Sequence, residues 1–295
     1  MEVLALITKF LKRLKFELLK GSRLPVFAGL LATIFLFSVQ TSNNPSIQAL
    51  FNRLDNLIYD QRFSFMLETP KETEHKIVII DIDQRSLESY GRWPWSRFDF
   101  GDLVRELNKY GVIVIGFDFF FPEPERNLML ELREKSSGTD IENDLPPDSQ
   151  LEQWSKLLDG DLHYAEQMKL MDVVLGVSFK SGDTVRYGNL PESIIQLDEE
   201  RTRAISFLRA IGYEGNVDIL QNAASGVGFF DTLPDSDGVL RSTPLVMRYE
   251  NNLYPSLPLE MMRLYLFEER FTIGTELDLT GQYDRLTGIN VGQVF

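Results

Sequence analysis

Residues 76–83 read KIVIIDID, residues 112–121 read VIVIGFDFFF, and between them residues 96–110 (SRFDFGDLVRELNKY) run to Gly111. The outer two are short, apolar and rich in β-branched or aromatic side chains, the pattern of strands buried on both faces. The middle segment sets Phe100, Leu103, Val104 and Leu107 at three- and four-residue steps, which predicts a helix with one inward face, ended at Gly111. Strand, helix and strand within about 45 residues make a βαβ unit, whose strands are expected as parallel neighbours. That reading sets the fold class: α/β, a mostly parallel sheet built from βαβ units with a C-terminal β-hairpin, preceded by one transmembrane helix.

Downstream, the rhythm is interrupted and then resumes. Residues 122–161 hold eleven acidic against four basic side chains, with Ser136-Ser137-Gly138 and Pro146-Pro147, and read as an acidic, solvated insertion that is helical at 128–135 and 151–158. A helix over 162–170 and a third strand over 173–179 repeat the β–α–β order. Residues 226–231 and 239–249 flank Pro234-Asp235-Ser236-Asp237-Gly238, so a β-hairpin is predicted there. Residues 257–267 form a final amphipathic helix with Ser256 available as its N-cap. The strand-like pieces of 272–295 show no compact finish, and the C-terminal part of the domain is expected to be truncated.

Upstream, charge and hydropathy divide the chain. Residues 1–23 carry six basic side chains against Glu2 and Glu17, and no charged residue occurs between Arg23 and Arg53. Within that gap residues 24–39 (LPVFAGLLATIFLFSV) are almost wholly apolar. Residues 24–42 are therefore read as a transmembrane signal anchor, with a cytoplasmic N-terminus by the positive-inside rule and the main domain, 45–295, on the periplasmic face of a bacterial inner membrane. A cleaved signal peptide fits less well, because Ser38-Val39-Gln40 is a poor small-residue cleavage site. A buried soluble helix is the third reading. In residues 1–23, Leu4, Ile7, Leu11, Leu14 and Leu18 draw an apolar stripe opposite Lys9, Arg13 and Lys20, the design of a basic amphipathic segment on an anionic leaflet. Ala28, Gly29, Ala32 and Thr33 would allow close helix contact in a homodimer. A further helix is predicted over 47–67.

Composition excludes several functions. The 295 residues carry a net charge of −14, no cysteine and two histidines, His75 and His163. Absence of cysteine excludes disulfides, thiol chemistry and cysteine-ligated zinc, and two histidines leave little for a multi-histidine metal centre. An acidic chain is a poor partner for nucleic acid. There is no phosphate loop, no dinucleotide fingerprint at Gly226-Val227-Gly228 and no GxSxG elbow. No cofactor and no metal are expected.

Residues 54–60 (LDNLIYD), 79–83 (IIDID), Ser86-Leu87, 91–97 (GRWPWSR) and 116–121 (GFDFFF) together resemble the CHASE2 family. The run 228–230 (GFF), 235–241 (DSDGVLR) and 254–257 (YPSL) continues the likeness in the family's order, and GRWPWSR is its most specific element. The resemblance implies an extracytoplasmic sensory domain of a bacterial receptor, held by an N-terminal membrane helix. It also implies an effector beyond this sequence: an adenylate or guanylate cyclase, a histidine kinase or a Ser/Thr kinase.

The residues themselves suggest where a signal would bind. Trp93 and Trp95 flank Pro94 just before a helix start, Arg92 and Arg97 frame them, and Asp83 and Asp118 fall at predicted strand ends, the edge where open α/β sheets take ligands. A pocket of Asp83, Arg92, Trp93, Trp95, Arg97 and Asp118 for a small-molecule or protein signal competes with a plain structural role. In the latter, Arg92 or Arg97 pairs with Asp83 or Asp118 and the tryptophans fill the core. Two rival functions remain open: a Mg²⁺-dependent phosphatase of the haloacid-dehalogenase type using Asp81 and Asp83, and an anchored scaffold that binds proteins through the acidic insertion.

Overall fold

The computed structural model describes residues 24–41, 44–67, 77–196, 205–277 and 283–291. The amphipathic stripe of residues 1–23 lies outside them. The chain divides into two units, residues 1–79 and 80–295.

The first unit contains α1 (Leu24–Gln40) and α2 (Pro45–Met66). Along α1 the large apolar side chains Val26, Leu30, Leu31, Ile34, Phe35, Leu36 and Phe37 are all exposed. Its hydroxyls turn back onto the helix: Thr33 Oγ1 donates to Gly29 O at 2.9 Å and Ser38 Oγ to Ile34 O at 2.8 Å. The expected transmembrane helix over 24–42 needs correction. The helix has 17 residues, which at 1.5 Å per residue is about 26 Å, short of a hydrocarbon core of about 30 Å. Among the described residues no helix is long and apolar enough to cross a membrane. Asn44 caps α2 by accepting from Ser46 N at 3.0 Å, and Pro45 occupies the first turn, where its missing N–H costs nothing. Leu50, Leu54, Leu57, Ile58 and Phe65 of α2 are exposed.

The second unit begins with α3 (Gln84–Tyr90), α4 (Arg97–Lys109) and β1 (Val114–Gly116). The acidic segment forms α5 (Leu128–Ser136), a 3-10 turn (Asp140–Asp144) and α6 (Asp148–Leu157). Next come α7 (Gly160–Met168), β2 (Asp172–Lys180), β3 (Arg186–Tyr187), β4 (Ile195–Gln196), β5 (Leu208–Ala210) and β6 (Gly212–Glu214). The remainder is α8 (Asp218–Ala223), β7 (Gly226–Phe229), β8 (Val246–Tyr249), β9 (Asn252–Pro255), α9 (Leu257–Tyr265), β10 (Phe271–Leu277) and β11 (Tyr283–Val291).

Strand β2 is the spine. Its first half lies between β1 and β7, both parallel to it, in register Val114↔Asp172 and Val174↔Gly226. Seven consecutive residues from Val173 to Phe179 are buried between two covered faces, a demand met by apolar side chains except at Ser178, whose hydroxyl donates to Asp231 Oδ1 at 2.8 Å. Its last three residues pair antiparallel with β6, which pairs in parallel with β3. Helix α4 starts in a capping box, with Ser96 and Asp99 each satisfying the other's backbone N–H, and buries Phe100 and Val104 against α7 and the sheet. Helix α9 lies against β1, β2 and β7.

The sheets are mixed rather than mostly parallel. Beside the five-stranded sheet stand β5-β8-β9 and β11-β10-β4, and the pairs β8–β9 and β10–β11 are antiparallel. The first expected strand does not form: residues 77–83 are irregular, and Ile77, Val78, Ile79 and Ile80 are exposed. β-branched residues favour a strand only where a neighbouring surface covers them, and here Asp83 ends the extended run by capping α3. The second expected strand shortens to β1, although Phe117 and Phe121 beyond it remain buried. The predicted hairpin also moves. Its turn exists, with Gly238 N donating to Asp235 O at 2.8 Å and Arg241 reaching Asp235 and Asp237, but its first arm, β7, pairs with β2 while its second, β8, pairs with β5 and β9. Residues 272–295, expected to lack a compact finish, supply β10 and β11, whose Phe271 and Ile273 form a second small core with Ile195, Val246 and Leu253. Ser256 stands at the N-cap of α9, yet its buried Oγ makes no capping bond.

Candidate functional site

The 91–97 segment folds as an aromatic turn. Gly91 supplies φ +92° at the end of α3, a value that disfavours any side chain, and the Trp93–Pro94 peptide is cis. Trp95 turns inward, donating Nε1–H to Gly91 O at 3.0 Å and packing against the main core. Trp93 lies above it, 39% exposed, with ring centroids 5.9 Å from Trp95, 5.7 Å from Phe100 and 5.3 Å from Phe119. Phe100 in turn meets Phe117, Phe121 and Tyr164. One indole edge therefore reaches solvent from a stack rooted in the deepest core.

Arg97, the first residue of α4, finds neither of the acids expected for it. Its Nε donates to Asp161 Oδ1 at 3.1 Å, its Nη2 to Glu123 O at 3.2 Å, and its guanidinium lies 4.1 Å from the centre of the Phe121 ring. Its backbone N–H donates to Glu125 Oε1 at 3.0 Å, and Glu125 N–H to Asp161 Oδ2 at 2.7 Å. The two ends of the acidic segment are thus tied to the start of α4 by one arginine. Tyr164 lies beside this network with its hydroxyl buried and unpartnered, and burial pushes its pKa up.

The other predicted residues are placed differently. Asp83 caps α3, accepting from Ser86 N at 2.9 Å and Ser86 Oγ at 2.8 Å, and these bonds hold its carboxyl below the usual range. Asp118 is exposed and burial of part of its carboxyl raises its pKa. Arg92 is exposed. Trp93, Trp95 and Arg97 all pack against the aromatic core, Arg97 through the Phe121 ring, whereas Asp83 caps a helix. Asp81 and Asp83 do not follow a strand, which is the setting the phosphatase reading requires. Among the described residues no cluster of acids and histidines could hold a metal.

Several organising residues were not legible beforehand. Asn216 is fully buried, accepts from Phe121 N at 2.8 Å and donates to Gly176 O at 3.0 Å, pinning the end of the aromatic run to β2. Asp161 sat in a run read as solvated, and only its place at the edge of a helix start hinted otherwise.

The aromatic turn thus stands at the rim of a mixed α/β domain. The CHASE2 domain model matches residues 29–292, and the chain belongs to that family, whose members are extracytoplasmic sensory domains. Comparison with curated proteins and with solved structures returned no match.

Proposed function

We propose that this chain is the membrane-attached input part of a bacterial signalling receptor, sensing outside the cytoplasm and controlling a cyclase or kinase inside. Membership of the sensory family over residues 29–292 carries the proposal, and helix α1, by itself too short to cross a membrane, adds an apolar surface for attachment. The helix is uncharged, exposes apolar side chains along its whole length, and keeps its Thr33 and Ser38 hydroxyls bonded to its own carbonyls, which is how a helix lowers the cost of lying in hydrocarbon. The basic residues before it favour the cytoplasmic face. Family membership supports an extracytoplasmic position for the second unit. The exposed Leu50, Leu54 and Leu57 of α2 suit the seam of a homodimer, with Gly29 allowing close approach in α1.

The test is a pair of fusions after residue 295 expressed in a bacterium, one to alkaline phosphatase and one to β-galactosidase, with fractionation of the cells. The expected result is phosphatase activity without galactosidase activity, in a membrane fraction that resists alkaline carbonate and is lost when residues 24–40 are deleted. Galactosidase activity with a carbonate-soluble chain overturns the proposal.

A further inference from the structure

We infer that a cavity between α8, β7, the end of β9 and α9 is a binding site for a small organic cation bearing N–H donors. The cavity has a volume of about 110 Å³ and lies wholly in the second unit. One water needs only about 10–15 Å³ of such space, and an apolar cavity of about 150 Å³ takes benzene, so the size suits a compact organic molecule.

The wall presents acceptors. Gln221, 8% exposed, lines the cavity, and its carboxamide oxygen is buried with no hydrogen-bond partner. Tyr254 sends its hydroxyl hydrogen to Pro191 O, leaving lone pairs for anything else. The Glu260 carboxylate, 1% exposed, sits against Gly226, where any Cβ would collide with its Oε1. Glu192 stands exposed at the rim.

The one cation among the described residues of the wall is already committed. Arg263 donates Nε to Glu260 Oε2 at 3.0 Å and Nη2 to Glu260 Oε1 at 2.7 Å, while its Nη1 serves the carbonyls of Glu268 and Glu269. A bidentate pair of this kind neutralises the guanidinium and spends its in-plane donors. An entering anion therefore finds little free donor capacity and the carboxylate of Glu192, which forms no ion pair among the described residues. A cation finds that charge, plus a buried oxygen whose lack of a donor is costly as it stands. The chemistry is that of an ammonium or amidinium head, and it does not depend on the receptor reading.

The full chain in non-ionic detergent is titrated with acetamidinium, acetamide and acetate, planar probes of matched shape that differ in charge, and binding is followed by ligand-observed NMR. Acetamidinium is expected to bind at least about tenfold more tightly than acetate, a difference of about 1.4 kcal/mol. Gln221→Leu removes an unpaired buried acceptor, so its melting temperature holds or rises while acetamidinium binding weakens by about tenfold. Glu192→Gln, at the exposed rim, leaves the fold intact and weakens acetamidinium but not acetamide. Binding of acetate as tight as that of acetamidinium overturns the inference. So does acetamidinium binding indifferent to Gln221→Leu, and so does absence of any probe binding, which would make the cavity a place for water alone.

Discussion

Arg97 Nε and Asp161 Oδ1 stand 3.1 Å apart across 64 positions of sequence, with their side chains only 13% and 7% exposed. The pair closes the acidic segment back onto the start of α4. Removing either partner leaves the other charged group without its counter-ion in a largely dry site, which costs about 3–5 kcal/mol. Arg97→Ala and Asp161→Ala are each expected to lower unfolding stability by about 3 kcal/mol, the exposed edge of Arg97 favouring the low end. The double variant should lose clearly less than the two together, since the partners act as one unit. Urea unfolding of the three variants measures both quantities; strict additivity would remove the pair from the account.

Asn216 acts at the same end of the aromatic run, on the backbone of Phe121 whose ring Arg97 covers. Asn216→Ala leaves the Phe121 N–H and the Gly176 carbonyl buried without partners, a penalty of about 1–3 kcal/mol for each group. The expected loss is at least about 2 kcal/mol, and Asn216→Asp should not restore it, because a carboxylate cannot donate to Gly176 O. A variant as stable as the parent in urea would show that water takes over both bonds.

These two residues mark where the sequence stops being readable. Helices α2, α4 and α9 were legible because each carries an apolar stripe and an N-terminal signal in a contiguous segment. Strand β2 was legible for the same local reason, as a run that is apolar apart from Gly176 and Ser178. Pairing is not local. Residues 77–83 have the composition of a strand, and Asp83 with Ser86 starts a helix instead; β7 has a turn after it, and its partner lies 52 residues earlier in β2. The site divides likewise. The clustering of Trp93, Trp95 and Arg97 follows from seven adjacent residues, but the choice of Asp161 over Asp83 or Asp118 is made by the packing of α4 on α7.

The two tryptophans of the turn should separate in both stability and accessibility. Trp95 packs on the core and bonds Gly91, so Trp95→Ala is expected to cost about 3 kcal/mol. Trp93 keeps 39% of its surface in solvent, and Trp93→Ala should cost distinctly less. In a Trp154→Phe background, acrylamide should quench Trp93 more strongly than Trp95 in the respective single-tryptophan chains. Equal quenching would mean that the two indoles are equally accessible and that the turn does not divide them into one buried and one exposed.

Glu260 sets a pH dependence. Burial raises its pKa above the ordinary 4.5, and the Arg263 bonds oppose that shift without cancelling it. A carboxyl whose folded pKa is raised holds its proton more tightly in the folded state, so its contribution to stability is present below the unfolded value and declines as pH rises through the folded one. Stability of the parent relative to Glu260→Gln is therefore expected to fall between pH 4.5 and the pH at which Glu260 has ionised. Denaturant titrations at successive pH values measure the difference; parallel curves would mean that Arg263 holds the carboxylate charged throughout.

Gly176 offers the sharpest test of how the sheet is built. It lies at the centre of β2, opposite Gly228 of β7, and a Cβ there would come within 2.7 Å of the Phe117 and Phe119 carbonyl oxygens and of the Phe230 ring. Gly160 is crowded too, but chiefly by the Glu125 carboxylate, the far end of a side chain that can give way at the loss of its one bond to Arg97 N–H. Backbone carbonyls cannot move without pulling the 117–121 run off β2 and breaking the Asn216 bonds with it. Overpacking a close-packed interior costs about 1–3 kcal/mol even where side chains adjust. Gly176→Ala is therefore expected at or above the upper end, and Gly160→Ala well below it. The check is the order of the two midpoints in urea. If Gly176→Ala is the milder change, the aromatic run does not lie against β2 as closely as its geometry states.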